Sequence, residues 1–191
     1  DGLAYLGPFR SRRAATAVVE ALWDAVPLRR CSGPPGRREA PCAMAQLGVA
    51  LCPCDGTLEE ADYRPVVERV VAGIEEDPSL LLQPLAGRVA DLAGMRRFEE
   101  AAWVRDRHRA LARSLERRRH WKALQGAGTI WAEGEDGSAL IDGGRLAAAW
   151  GGAGRPLTPV AEERESPPVP PTTVDAEEAH LLWTWLTSGT V

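Results

Sequence analysis

The stretch Arg97–Leu111, RFEEAAWVRDRHRAL, constrains this chain more than any other. At helical spacing it places Phe98, Ala101 and Ala102 on one stripe. An ordered set of charges, Glu99, Glu100, Arg105 and Asp106, lies beside that stripe. Small apolar residues next to an aromatic anchor let two helices approach closely, and flanking charges choose partner and register. The expected element is a docking helix, with Phe98, Ala101, Ala102 and Leu92 as the core of its contact surface.

The pattern before it is helical as well. Ser11 is placed to cap a helix reaching about Ala25, with Ala14, Val18, Ala21, Leu22 and Val26 at helical spacing and Pro27 as its stop. Thr57-Leu58-Glu59-Glu60 reads as a capping box that opens a helix to about Glu75, with a kink or restart at Pro65. Asp77 as N-cap and Pro78 at the first position open the next helix. That helix carries Leu81, Leu85, Val89 and Leu92 and ends near Gly94. A tight turn then leads into a long helix from about Arg97 to Leu124, and the two are expected to form an antiparallel hairpin.

After Gly128 the pattern changes to short strands at Thr129–Ala132, Ala139–Ile141 and Arg145–Trp150. Glu135-Asp136-Gly137 and Asp142-Gly143-Gly144 supply the turns. Residues 151–173, rich in Gly, Pro and Glu, read as a linker. Asp175 is expected to cap a final helix whose dense apolar residues, Leu181, Leu182, Trp183, Trp185 and Leu186, call for a docking surface. The expected fold is mainly α: helices around a Cys-rich loop, an antiparallel helix hairpin and a small β-meander. Its expected divisions are 1–56, 57–125, 126–150, 151–173 and 174–191.

The net charge of -4 argues against general nucleic-acid binding, but the charge is unevenly spread. Residues 95–125 carry ten basic and four acidic side chains, between acidic stretches on either side. Within that block Arg109, Arg113, Arg117 and Arg118 are candidates for phosphate contact. A solvated helix face is the plainer alternative. No apolar run approaches the ~20 residues of a membrane helix, and no signal-peptide pattern opens the chain. A cytoplasmic location is the expectation. A first residue of Asp suggests a piece of a longer polypeptide.

Cys31, Cys42, Cys52 and Cys54, the four cysteines of the chain, fall in a Pro- and Gly-rich segment, residues 31–56, which is expected to be an irregular loop with one helical turn near Ala43–Gly48. Clustered thiols in a non-secreted chain point to metal rather than disulfides. A [4Fe–4S] cluster needs four converging thiolates; zinc needs the same number in a tetrahedron; incidental thiols are the third reading. Catalytic signals are missing from the sequence. His108, His120 and His180 are dispersed, and no Ser/His/Asp spacing, phosphate loop or H-x-x-x-H is present. No catalytic residue is therefore assigned.

Three stretches, in order, carry a resemblance. YLGPFRSRRAATAVVEALWDAVPLRRC (Tyr5–Cys31) and CAMAQLGVALCPCDG (Cys42–Gly56) resemble the segment that follows the GIY-YIG nuclease domain in UvrC, the incision subunit of bacterial nucleotide excision repair. RFEEAAWVRDRHRAL resembles the UVR motif, F-E-x-A-A-x-x-R-D. Together they span about residues 3–120. The resemblance implies docking through Phe98, Glu99, Ala101, Ala102, Arg105 and Asp106 to a matching hairpin of a UvrB-like protein, contact with DNA, and an iron–sulfur site. In the family pattern the third cysteine aligns with Ala50, and Cys52 lies two residues later. The resemblance places the nuclease core before Asp1, as in actinobacterial fusions that join a DnaQ-type 3′–5′ exonuclease and a GIY-YIG domain to this region. The parent protein is expected to be the nuclease, and this chain its docking and DNA-positioning part. A metal- or redox-responsive module is the alternative function, and an intact small nuclease the third.

Overall fold

The computed structural model describes residues 4–134, 137–151 and 170–188. Most of the expected linker, residues 152–169, and Glu135-Asp136 of the expected first turn lie outside the described residues. The architecture is mainly α with a three-stranded antiparallel meander, as the sequence pattern implies. The chain divides into two compact units. Among the described residues, one holds Ala4 and residues 11–115, and the other holds residues 5–10 and those from 116 onward.

The first unit is helical. α1 (Arg12–Ala25) starts where Ser11 Oγ accepts the Ala14 N–H at 3.2 Å, and it buries Val18 and Ala21. α2 (Ala43–Gln46) and a 3-10 turn (Pro53–Asp55) lie within the cysteine segment. α3 (Glu60–Glu75) begins later than the Thr57 capping box implies. Asp55 takes both Thr57 donors, the backbone N–H at 3.2 Å and the hydroxyl at 3.0 Å. This local side-chain turn closes the 3-10 turn and removes Thr57 from helix capping. α3 then runs through Pro65, the sixth residue of the helix, which forfeits the one backbone bond its missing N–H would make.

α4 (Ser79–Gly94) opens on Asp77, which accepts the Ser79 N–H at 2.9 Å and the Ser79 hydroxyl at 2.8 Å. Its buried Leu81, Leu85 and Leu92 pack the helix against α1 and α3. Contact with α3 is close because residue 73 is glycine: a Cβ there would stand 2.4 Å from Leu81 Cγ. Met95–Arg97 turn the chain, with Arg96 in the left-handed region (φ 59) and the Arg97 N–H returning to Leu92 C=O at 2.9 Å. α5 (Phe98–Gly126) follows, 29 residues long. In this unit α5 buries Ala101, Val104, Leu111 and Leu115. It is tied to α1 by Arg107, which bonds Glu20 at 2.9 Å and the buried Asp24 at 2.8 Å. Arg88 of α4 reaches the other oxygen of Asp24 at 3.3 Å.

The second unit takes the C-terminal part of α5. β1 (Thr129–Gly134), β2 (Gly137–Asp142) and β3 (Arg145–Gly151) pair in sequence order, with Ile130 opposite Ile141 and Ile141 opposite Leu146. Ala139 and Ile141 point from one face into a core with Trp121, Leu124, Ala179 and Leu182. α6 (Thr173–Ser188) supplies the last two and packs against β3. Its start differs from the expectation that Asp175 is the cap. Thr172 is the cap, and its hydroxyl accepts the Asp175 N–H at 3.2 Å. Asp175 accepts the Thr172 N–H at 3.1 Å, which makes the bond reciprocal, and also pairs with Arg145. The apolar residues of α6 find their partner in this unit: Trp183 also stacks on His120, with ring centroids 4.2 Å apart. Among the described residues no helix is long and apolar enough to cross a membrane.

Candidate metal centre and helix surface

The cysteines converge because a short loop is folded back on itself by its own backbone. Leu51 N–H bonds Pro27 C=O at 2.8 Å, which brings the second half of the segment to the end of α1. Gly36 N–H bonds Pro53 C=O and Arg38 N–H bonds Cys54 C=O, each at 2.9 Å. Gly56 (φ 80) allows the close crossing, since a Cβ there would lie 3.3 Å from Gly36 Cα. Cys31 therefore arrives from the chain after α1, Cys42 from the start of α2, and Cys52 and Cys54 from the 3-10 turn.

All four sulfurs lie within 4.8 Å of one another. Cys42, Cys52 and Cys54 are buried, and Cys31 is half-buried. No cysteine is in a disulfide. Ala50 is buried, and Cys52 supplies the fourth sulfur. Other groups of three or more convergent metal-ligating side chains are absent among the described residues.

Close contacts shift three of the thiols, Cys31, Cys42 and Cys52. Cys31 and Cys52 stand 3.0 Å apart and share a hydrogen bond. That bond, helped by the Arg29 guanidinium, brings the Cys31 thiol down to about 7. Burial and the same partner push Cys52 up to about 12. The backbone N–H of Ala45 lowers Cys42, and Cys54 Sγ accepts the Cys42 N–H at 3.3 Å. Such N–H···S bonds favour thiolate, the form that ligates metal.

The donor set fits a metal. Around one ion with bonds of ~2.3 Å, tetrahedral sulfurs stand about 3.8 Å apart, which falls inside the 4.8 Å that encloses all four sulfurs here. A four-iron cube places each thiolate on its own corner and needs the sulfurs farther apart. Four thiols in buried or half-buried positions, with no acid or His among them, match the soft-donor preference of zinc and of iron–sulfur groups.

The helix surface is divided. Phe98 is 66% exposed, and Met95 just before it is 65% exposed. Ala101 and Leu92, expected on the same stripe, are buried within the first unit. Ala102 is half-buried and Glu99 exposed. The split follows from helical geometry: Ala102 lies about 40° round from Phe98, while Ala101 lies about 60° the other way, toward the core. Arg105 and Asp106 pair with each other at 3.0 Å on the surface. Arg109, Arg113 and Arg117 are exposed at four-residue intervals. Arg118 instead donates from Nε to Tyr5 C=O at 2.8 Å, inside the second unit.

Two residues near the cysteine loop carry no motif of their own. Tyr63 hydroxyl accepts the Arg29 N–H at 3.0 Å across 34 positions, and nothing in the sequence marks that pairing. Arg29 has one signal, its place two residues before Cys31 in a segment otherwise read for its cysteines.

Residues 1–73 match the family model of the UvrC/Cho excinuclease middle domain. The chain is similar to UvrABC system protein C of Syntrophus aciditrophicus, 36% identical over 120 residues, which is 62% of this chain and 19% of that protein. The corresponding protein of Thermus thermophilus is 37% identical over 112 residues, 58% of this chain and 19% of its own length. That of Moorella thermoacetica is 30% identical over 141 residues, 73% of this chain and 22% of its own. The chain thus spans about a fifth of the curated relatives it matches. No solved structure matches.

Proposed function

We propose, from the premise that this chain contains a UvrC-family region, that it is the partner-docking and DNA-positioning part of a UvrC-like nuclease in nucleotide excision repair. The observation that carries the docking reading is Phe98. It stands 66% exposed at the start of a long helix, held by a turn in which Arg97 grips Glu100 through two bonds of 2.6 Å. An aromatic ring left in water at a rigid helix start favours burial against a partner. Glu99, Arg105 and Asp106 then set register around it, and Ala102 allows close approach. Ala101 serves from the inside by holding α5 against its own unit. The partner is a helix hairpin of a UvrB-like protein. Arg109 and Arg113 of the first unit, and Arg117 and Arg118 of the second, are the residues that would meet phosphate.

Fully burying a Phe side chain contributes about 1.5–3 kcal/mol. Phe98→Ala is therefore expected to weaken binding to a UvrB-like protein about 10-fold or more in calorimetric titration, and Arg105→Glu to weaken it further by reversing a rim charge. Unchanged affinity in both variants would sink the docking reading.

A second reading rests on the cysteines: the region also holds a metal. The four gathered sulfurs support either one tetrahedral zinc ion or a [4Fe–4S] cluster, on which they would stand farther apart. Bound there, the metal supplies a structural cross-link between the end of α1 and the start of α3. Anaerobic purification separates the two: iron–sulfur groups absorb visible light, whereas zinc is colourless and is counted by elemental analysis.

A further inference from the structure

We propose that the cavity walled by residues 5–10, the C-terminal part of α5 and α6 is a phosphate site that takes one backbone phosphate of DNA. The inference rests on the DNA-positioning reading above.

All three walls belong to the second unit. The segment 5–10 is fixed to α5 by Arg118, whose Nε donates to Tyr5 C=O at 2.8 Å, and to α6 by Arg10, whose Nε stands 3.1 Å from Glu177. Together they enclose a cavity of about 140 Å³. One water needs only about 10–15 Å³, so the space admits a group of several heavy atoms. Pro8 and Arg10 line it from the segment, Arg117 from α5, and Thr173, Glu177 and His180 from α6. The three α6 residues recur at helical spacing, which sets them on one face of that helix.

This lining suits an oxyanion. Two guanidinium groups from different walls each offer a planar fork of N–H donors that matches phosphate. His180 presents an imidazole, which donates an N–H whether or not it is charged, and Thr173 presents a hydroxyl. One carboxylate, Glu177, stands against them, and it is paired with Arg10. The balance of the lining is positive. Arg10, Arg117 and His180 are also exposed, as a site must be if a molecule as large as DNA is to reach it. Phosphate contacts fix register without reading sequence, which is the task of a DNA-positioning region.

The test is binding of a fluorescein-labelled DNA duplex by the full 191-residue chain, followed by anisotropy over a range of salt. Arg10→Gln, Arg117→Gln and His180→Gln are each expected to weaken binding. The Arg10→Gln, Arg117→Gln double variant should lower the slope of log affinity against log salt by about 0.9, the value for one phosphate. Two arginines serving separate phosphates would lower it by about 1.8. Glu177→Gln supplies the opposite sign: it breaks the same ion pair as Arg10→Gln but adds positive balance, so it should tighten binding. If Arg117→Gln alters the circular dichroism spectrum, Arg10→Gln and His180→Gln decide.

The proposal is overturned if Arg10→Gln and His180→Gln bind DNA as the wild type does, or if Arg10→Gln and Glu177→Gln weaken binding alike, as a purely structural ion pair would require. Inorganic phosphate that shifts the His180 NMR signals while those variants bind DNA normally would show a small-anion site and overturn the DNA assignment. A wild-type chain that binds no DNA overturns the DNA-positioning reading and this inference with it. Binding weakened by Arg109→Gln and Arg113→Gln but not at Arg10 or His180 overturns the inference alone.

Discussion

The cysteine loop and the meander unit have opposite ways of holding short, irregular pieces of chain together. In the meander unit the centre is hydrocarbon: Ile141, Leu124 and Trp121 pack against Ala179 and Leu182. In the loop the centre is sulfur, with Cys42, Cys52 and Cys54 as the buried cluster and few apolar side chains around it. Met44, Leu47, Val49 and Leu51, the larger apolar side chains of the segment, are exposed. Hydrocarbon burial is unconditional at ordinary temperature and pH. A sulfur centre is conditional, because its cohesion depends on thiolate charge, on the bound ion and on redox state.

The largest test of this contrast is metal removal. Stripping metal with a strong chelator is expected to open residues 27–56 to hydrogen exchange while amides of β2 stay protected. Structural zinc is worth of order 10 kcal/mol to small sites, so loss of protection in the loop should approach completeness. Equal loss in both regions would mean that they do not have independent sources of cohesion.

A smaller effect runs the other way. Ile141 is fully buried on β2, and Ile141→Ala is expected to cost about 2–5 kcal/mol through lost burial and the cavity left behind. The variant should lower the melting temperature of the meander amides and leave zinc stoichiometry unchanged. A drop in bound zinc would break the comparison.

The smallest effect is on the metal-free loop. With its thiol near 7 and half-buried, Cys31 should react with iodoacetamide at a rate that rises to a plateau just above neutral pH. Cys52, at about 12 and buried, stays unreacted across that range. The sign follows from the shifts. Cys31 has a lowered value in the folded chain, so its contribution to stability is present above the ordinary thiol value of 9.0 and is lost as pH falls through about 7. Cys52 is raised, so its contribution is present below 9.0 and is lost as pH rises toward 12. Peptide mapping of the alkylated chain separates the two, and equal labelling of both cysteines at pH 8 would contradict the shared hydrogen bond.

Local signals in the chain translate directly into elements. The Ser11 cap and the Pro27 stop bound α1. The helical turn near Ala43 and the three strands after Gly128 stand where periodicity puts them. Each of these depends on neighbours within about four residues. Where two local signals compete, the linear pattern is a poor judge. Asp55 takes Thr57 out of its capping box, and Thr172 takes the cap from Asp175. The competing residues were both visible, but the geometry that ranks them was not.

Composition and spacing alone made this a helical chain with a four-thiol loop and a short meander, because helix periodicity, turn residues and cysteine count are properties of neighbouring residues. The folded chain alone settles which sides face inward. It buries Ala101 and leaves Phe98 in water, gathers Cys52 with the other three cysteines, and turns Arg30 over the Trp23 ring. Those choices depend on groups tens of residues apart, such as Tyr63 on Arg29 and Asp24 on Arg107, and only packing in three dimensions brings such groups within reach of each other.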